Sequence, residues 1–274
     1  MAYANNKIAV ITGAGSGIGR ALAQQLNSEG CRLLLCDVNT DALADTVQSL
    51  SRSDVAVQTR LLDVSDKQAM QAWASEIASE YGHVDIVINN AGVAAGAPVE
   101  ESKYGDIEWL MGINFWGVVY GTMEFLPLLR KAEQGHLVNI SSIFGIIGVP
   151  TQSAYNAAKF AVRGYTEALR QEMAGSNVHV CCVHPGGIKT NIVRNARMTG
   201  TDNDRKEAIA KFDQLTPTSP ESAAAQIIRA VEKRKKRLLI GMDAKIMSLA
   251  SRLFPVNYTR FLPGLGNLGK NNNS

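Results

Sequence analysis

From Lys7 onward, short apolar runs alternate with longer stretches in which apolar residues recur every three or four positions. The runs are Ile8–Thr12, Arg32–Cys36, Ala56–Leu62, Ile86–Asn89, His136–Ser141, His179–His184 and Leu238–Ile240, rich in leucine and β-branched residues. Continuous apolar runs of this length predict strands covered on both faces, and the intervening periodicity predicts amphipathic helices. Strand and helix patterns in strict alternation predict βαβ units, hence an α/β fold with a doubly wound parallel sheet of about seven strands and helices on both faces. Such sheets bind ligands beyond the carboxyl ends of their strands.

The longer patterns predict one long helix broadly over Ser102–Lys131 and another over Thr151–Gly175, with a short one over Arg205–Gln214. Asn39 or Thr40 can cap one helix and Ser65 or Asp66 another. Ser219 caps a further helix that Pro220 starts. The most apolar stretch, Ile113–Leu129, contains Asn114, Glu124 and Pro127, so it reads as a buried helix and not a membrane span. No internal repeat shows, and 274 residues suit one wide sheet, so residues 1–274 read as a single domain.

A net charge of +3 with interspersed signs leaves no nucleic-acid footprint. The run Lys233-Arg234-Lys235-Lys236-Arg237 reads as a solvated helix end. Cys31, Cys36, Cys181 and Cys182 lie in or beside strand-like runs and read as buried, reduced thiols. His83, His136, His179 and His184 lack metal-ligand spacing, so no metal is assigned. The first residues lack a secretory pattern, and a cytoplasmic location is expected.

Chemistry-bearing residues gather at predicted strand ends. After the first strand comes Thr12-Gly13-Ala14-Gly15-Ser16-Gly17-Ile18-Gly19, opening a helix. Glycines let this backbone turn sharply and approach a pyrophosphate, which the helix N–H groups favour. The second strand ends at Asp37, placed to accept hydrogen bonds from an adenosine ribose and to repel a 2′-phosphate. With no arginine at 38–41, NAD is expected over NADP. Asp63 ends the third strand, Asn89-Asn90-Ala91-Gly92 the fourth, and Ser142 the fifth. Asn114 lies in the apolar middle of the long helix and needs partners for its amide. Tyr155 and Lys159 are four apart, which puts them on one helical face with the ammonium beside the phenol.

In this order, Thr12–Gly19, Asn89–Gly92, Asn114, Ser142, Tyr155-x-x-x-Lys159 and Pro185-Gly186 strongly resemble the short-chain dehydrogenase/reductase family, in its compact single-domain branch. The resemblance covers about Lys7–Thr190. It implies a Rossmann-type sheet, a nicotinamide cofactor and a catalytic tetrad of Asn114, Ser142, Tyr155 and Lys159. It also implies that Asp63 and Val64 flank the adenine, that Asn90, Ala91 and Gly92 lie along the cofactor, and that Ile188 and Thr190, after Pro185-Gly186, hold the carboxamide. Cofactor contacts are further expected from Gly13, Ser16, Gly17, Ile18, Gly19, Asp37, Tyr155 and Lys159. A homodimer or homotetramer is implied, built on the two long helices. His184, before the proline, departs from the pattern and reads as structural.

The expected chemistry is interconversion of a secondary alcohol with a carbonyl compound by hydride transfer. Tyr155 is the acid/base, Ser142 orients the substrate oxygen and Asn114 positions a water that relays protons from Lys159. Lowering a phenol of pKa ~10 by about three units takes roughly 4 kcal/mol, expected from Lys159 and the oxidised nicotinamide. A substrate lid is expected over about 187–217. Its Ile192, Val193, Met198 and Phe212, with Val93, Ile143, Phe144 and Ile147, suggest an apolar pocket for a hydrophobic substrate. The C-terminal extension, about 242–274, ends in a Gly/Asn-rich tail expected to be disordered. The stripe Ile246, Leu249, Leu253 and Phe254 is expected to pack against the body or a partner subunit, with membrane contact the second reading. The rival functions are a dinucleotide-sensing regulatory protein without catalysis, and a sugar-nucleotide epimerase or dehydratase.

Overall fold

The computed structural model describes residues 2–261. Its strands are β1 (Ile8–Thr12), β2 (Arg32–Asp37), β3 (Val57–Leu61), β4 (Ile86–Asn89), β5 (Ala95–Gly96), β6 (Gly135–Ile140), β7 (Val178–Pro185), β8 (Arg197–Met198) and β9 (Arg237–Ile240). The helices are α1 (Gly17–Ser28), α2 (Thr40–Gln48), α3 (Lys67–Tyr81), α4 (Tyr104–Met111), α5 (Gly117–Lys131), α6 (Ser153–Glu172), α7 (Asp202–Leu215), α8 (Pro220–Glu232) and α9 (Met242–Leu253). Seven strands form one parallel sheet in the order β3-β2-β1-β4-β6-β7-β9. Each contains or overlaps one of the seven apolar runs, so the Rossmann-type doubly wound architecture stands. The tail of the C-terminal extension lies outside the described residues.

Side-chain alternation divides the core. Ala9 and Ile11 of β1 and Leu33 and Leu35 of β2 pack with α1 and α8, whereas Val10, Leu34 and Cys36 pack with α3 and α5. A strand apolar on both faces is what a doubly wound sheet requires. All four cysteines are buried and free. Asn39, Asp66 and Ser219 each accept a hydrogen bond from an early helix amide, so the predicted caps form. Among the described residues no helix is long and apolar enough to cross a membrane.

The helix expected to be continuous over Ser102–Lys131 is not regular throughout. Residues Gly112–Trp116 form a π-helical turn between α4 and α5. Asn114 is buried in that turn, and its amide pairs with the Val93 backbone, Oδ1 accepting from the Val93 N–H and Nδ2 donating to its carbonyl, both at 2.8 Å. A π turn inserts one residue into the helix and re-aims a side chain, a feature frequent at functional sites.

A buried polar chain crosses the sheet between α5 and α6. Asn89 Nδ2 donates to Asn139 Oδ1 (2.9 Å) and Thr122 Oγ1 (3.2 Å), and Asn139 Nδ2 donates to Thr166 Oγ1 (3.0 Å). Asn89 Oδ1 faces the bare Cα of Gly121, where any Cβ would collide with it. Gly121→Ala is therefore expected to destabilise the protein by about 2 kcal/mol, from overpacking against a group fixed by its hydrogen bonds. Differential scanning calorimetry should show a melting temperature lower by roughly 5 °C; an unchanged melt would mean that α5 shifts freely.

Candidate active site

The strand order reverses between β1 and β4, which opens a crevice at their carboxyl ends. The glycine turn after β1 lines it. Gly13 (φ +65°) and Gly17 (φ +52°) occupy left-handed backbone that a side chain strains. Asn90 Nδ2 donates to the carbonyls of Thr12 (3.0 Å) and Gly13 (3.1 Å), and the amides of Asn90 and Ala91 donate to the Thr12 hydroxyl, both at 3.0 Å. Asn90 and Ala91 thus brace the turn. Ser16, Gly17, Ile18 and Gly19 begin α1; Ser16 is exposed with no capping bond, and the first turn carries no acid. Free helix amides and a free hydroxyl suit an anionic group.

Asp37 is half-buried at the end of β2. Its Oδ2 accepts from the Gly15 amide (2.8 Å) and its Oδ1 from the Asn39 amide (3.0 Å). Each carboxylate oxygen retains acceptor capacity for a ligand hydroxyl. The nearby Arg20 is committed beneath the turn, donating to Gly15 O (2.6 Å), Ala42 O (3.0 Å) and Thr46 Oγ1 (3.0 Å). Asp63 is exposed and closes a turn on Ser65. Val64 and Ile188 send their side chains into the core, so only their backbones are available to a ligand. Pro185 is buried at the end of β7, Gly186 is partly exposed, and Thr190 reaches the glycine turn, its Cγ2 lying 3.0 Å from where a Gly17 Cβ would stand.

The four residues expected to be catalytic converge from three elements. Lys159 Nζ, buried in α6, donates to the Ile140 carbonyl at 3.1 Å and lies 5.7 Å from the Tyr155 ring centroid. The Ser142 hydroxyl accepts from the Phe144 amide at 3.1 Å and lies near enough to the Tyr155 phenol to oppose the rise of its pKa. A Cβ on Gly92 would stand 3.2 Å from Asn114 Oδ1 and 3.4 Å from Lys159 Nζ. Gly92 is thus a bare, exposed patch between those two groups. With the glycine turn, the Ser16 cap and Asp37, it forms a cradle that fits a nicotinamide dinucleotide.

Two expectations gain detail. Burial raises the Tyr155 phenol to about 12, against the pull of the nearby Ser142 hydroxyl, and lowers the Lys159 ammonium to about 8. Both charges lose hydration, and the lysine is turned toward Ile140. Bringing such a phenol to neutrality would take on the order of 7 kcal/mol, a share of which the oxidised nicotinamide would supply when bound. In addition, both polar ends of the Asn114 side chain are engaged by Val93, leaving its backbone carbonyl to hold any water.

Sequence reasoning missed several supports. Asn156, between Tyr155 and Lys159, donates to the carbonyls of Phe144 and Ile147, both at 2.7 Å, and accepts from the Val149 amide at 3.0 Å. The loop after Ser142 is accordingly tied down, and Ile143 and Ile147 belong to a core cluster with Ala244 instead of lining a pocket. Asn156 was visible only as a polar residue on a helix face. The buried His184 pairs its Nδ1 with the Ser142 carbonyl at 3.0 Å and, held at about 4 chiefly by burial, stays neutral, so its role is structural. The strands β5 and β8 were too short to see; they pair the loop after β4 with the expected lid. Arg197 reinforces that pairing by an ion pair with Asp106 (2.9 Å) and by stacking 3.8 Å over Trp109.

Fold and site together define a dinucleotide-binding oxidoreductase. The family model described as short chain dehydrogenase matches residues 7–200, and the chain belongs to that family. It is 47% identical over 266 residues to SadH of Mycobacterium tuberculosis, covering 96% of both chains. It is 36% identical over 268 residues to dehydrogenase/reductase SDR family member 7B of Xenopus tropicalis, covering 95% of this chain and 86% of that one. A solved short chain dehydrogenase/reductase from Burkholderia phymatum in complex with NAD superposes with a TM-score of 0.83, 31% identity, and coverage of 95% and 97%.

Proposed function

We propose that this protein interconverts a secondary alcohol and its carbonyl compound with NAD as cofactor. The reading is carried by the convergence of Ser142, Tyr155 and Lys159 beside the bare patch at Gly92. A bound nicotinamide would supply or accept the hydride. Tyr155 is protonated near neutrality and so has a proton to give to the forming alkoxide, and in the reverse direction it takes the hydroxyl proton. Ser142 orients the substrate oxygen. Lys159 keeps its positive charge near neutrality, favours phenolate and would hold the nicotinamide ribose. Asn114 holds the loop at Val93 and offers its backbone carbonyl to a relay water.

Gly13, Ser16, Gly17, Ile18 and Gly19 would receive the pyrophosphate; Asp37 would receive the adenosine ribose. Asp63 and the Val64 backbone would flank the adenine, with Asn90, Ala91 and Gly92 along the cofactor. The segment from Pro185 and Gly186 through Ile188 and Thr190 would hold the carboxamide. The charge of Asp37, and the NAD carried by the Burkholderia phymatum relative, support NAD over NADP. Partly buried Val93, Phe144, Ile192, Val193, Met198 and Phe212 favour a hydrophobic substrate. Exposed Trp116, Met123 and Phe160, around α5 and α6, favour a homo-oligomer formed through these helices, and four buried, free cysteines suit the reducing cytoplasm.

The test is NADH absorbance over a panel of steroids, retinoids, acyl ketones, polyols and small diketones. Turnover of a secondary alcohol or ketone is expected, strongest with apolar members. Tight dinucleotide binding with no turnover of any member would sink the catalytic reading in favour of a sensor.

A further inference from the structure

The described residues expose fourteen large hydrophobic side chains, and six of them, Met242, Ile246, Leu249, Leu253, Phe254 and Val256, fall within 15 consecutive residues. Met242, Ile246, Leu249 and Leu253 follow the 4-3-4 spacing of one helical face and are 66%, 58%, 58% and 63% exposed. The opposite face of α9 carries Ala244 and Ser248, both buried. The expected packing of this stripe against the body is therefore not what the fold does. A helix that buries its small residues and presents its large apolar ones has a second surface to cover.

The outward charges of the segment itself are of one sign. Lys245, Arg252 and Arg260 are exposed, and the only acid between 242 and 260, Asp243, is turned inward to accept from the Gly187 amide at 2.7 Å. Burial, and then the like charges of Arg163 and Arg252, hold the Arg237 guanidinium at the start of β9 below its usual pKa. The exposed run Lys233–Lys236 immediately precedes it. Glu167 on α6 is already paired with Arg163 at 3.1 Å.

We propose that the α9 face docks on an anionic lipid bilayer, its stripe entering the interface and Lys245, Arg252 and Arg260 meeting the headgroups. An apolar stripe with a cationic border and no outward-facing acid is the pattern of an interfacial helix. Self-pairing is disfavoured by the same charges, because an isologous contact would bring Lys245 and Arg252 toward their own copies with no acid in the segment to receive them. The docking face is mechanically joined to the crevice. The Tyr258 hydroxyl accepts from the Gly148 amide at 2.7 Å, Asp243 holds Gly187, and Ala244 packs with Ile143 and Ile147. Both loops bordering the site thus rest on the element that meets the membrane, and this inference holds whatever the substrate.

Co-sedimentation of the full chain with vesicles tests it. Wild type should bind phosphatidylcholine vesicles containing phosphatidylserine, and several-fold less to phosphatidylcholine alone or in high salt. Ile246→Glu with Leu249→Glu should lower the partition coefficient at least tenfold, with dinucleotide binding and melting temperature unchanged to show that the fold is intact. Lys245→Glu with Arg252→Glu should remove the phosphatidylserine dependence. Absence of wild-type binding overturns the proposal, as does full binding by the Ile246/Leu249 variant. If vesicles are ignored and that variant instead has a smaller mass by light scattering, the face joins two copies of the chain and the lipid assignment is wrong.

Discussion

Tyr155→Phe is expected to lower kcat by at least about a hundredfold and up to ten-thousandfold, while dinucleotide affinity changes by less than about threefold. The lower bound follows from the usual contribution of a positioned acid/base. The ring remains, so packing against Phe144, whose ring centroid is 6.1 Å away, is kept. What disappears is the hydroxyl that lies near Ser142, on the ring beside Lys159. Because burial holds the phenol at about 12, wild-type oxidation should rise with pH as the proton becomes easier to remove, and reduction should not need high pH. The Phe variant should lose that rising limb. The checks are steady-state kinetics across pH and fluorescence titration with NADH. Appreciable turnover by the variant with an unaltered pH profile would remove Tyr155 from the chemistry.

The second large effect is expected at Asp37. Wild type should use NAD more efficiently than NADP, and Asp37→Ala should lower kcat/KM for NAD by roughly ten- to a hundredfold, the scale of one lost hydrogen bond to a charged group. The same change removes a carboxylate that would face the 2′-phosphate. At an effective dielectric constant near 20, that repulsion is on the order of a few kcal/mol before screening, so NADP efficiency should rise and the preference should narrow or reverse. Part of the NAD loss will come from the turn itself, since Asp37 also holds the amides of Gly15 and Asn39. Asp37→Asn separates the contributions by keeping an acceptor without the charge. A wild-type preference for NADP would refute the charge argument.

The site was legible wherever function depends on residue type at a strand end. Thr12–Gly19, Asp37, Ser142 and the Tyr155–Lys159 pair announce themselves, because the phosphate approach, ribose recognition and proton transfer proposed for them would each demand a particular side chain or its absence. The supports were less visible. Asn156 and Asp243 act through carbonyls and amides that lie far from them in the chain or on a separate loop, and a lone asparagine or aspartate does not reveal which amide it will meet. The π turn at Gly112–Trp116 leaves no periodicity distinct from that of a helix, since one inserted residue barely shifts a 3.6-residue pattern.

Local pattern alone determined the seven strands of the main sheet, their parallel arrangement and, to within a residue, the helical caps, because burial on two faces and the chemistry of helix ends are written in consecutive residues. Tertiary structure alone decided the electrostatics and the surfaces. Spacing placed Lys159 beside Tyr155, but only the fold could turn its ammonium to Ile140 and dehydrate both groups, since desolvation depends on everything packed around a charge. In the same way, periodicity revealed the apolar stripe of α9. Which face would be buried depended on the small residues Ala244 and Ser248 fitting against the body, and that choice left the stripe outward.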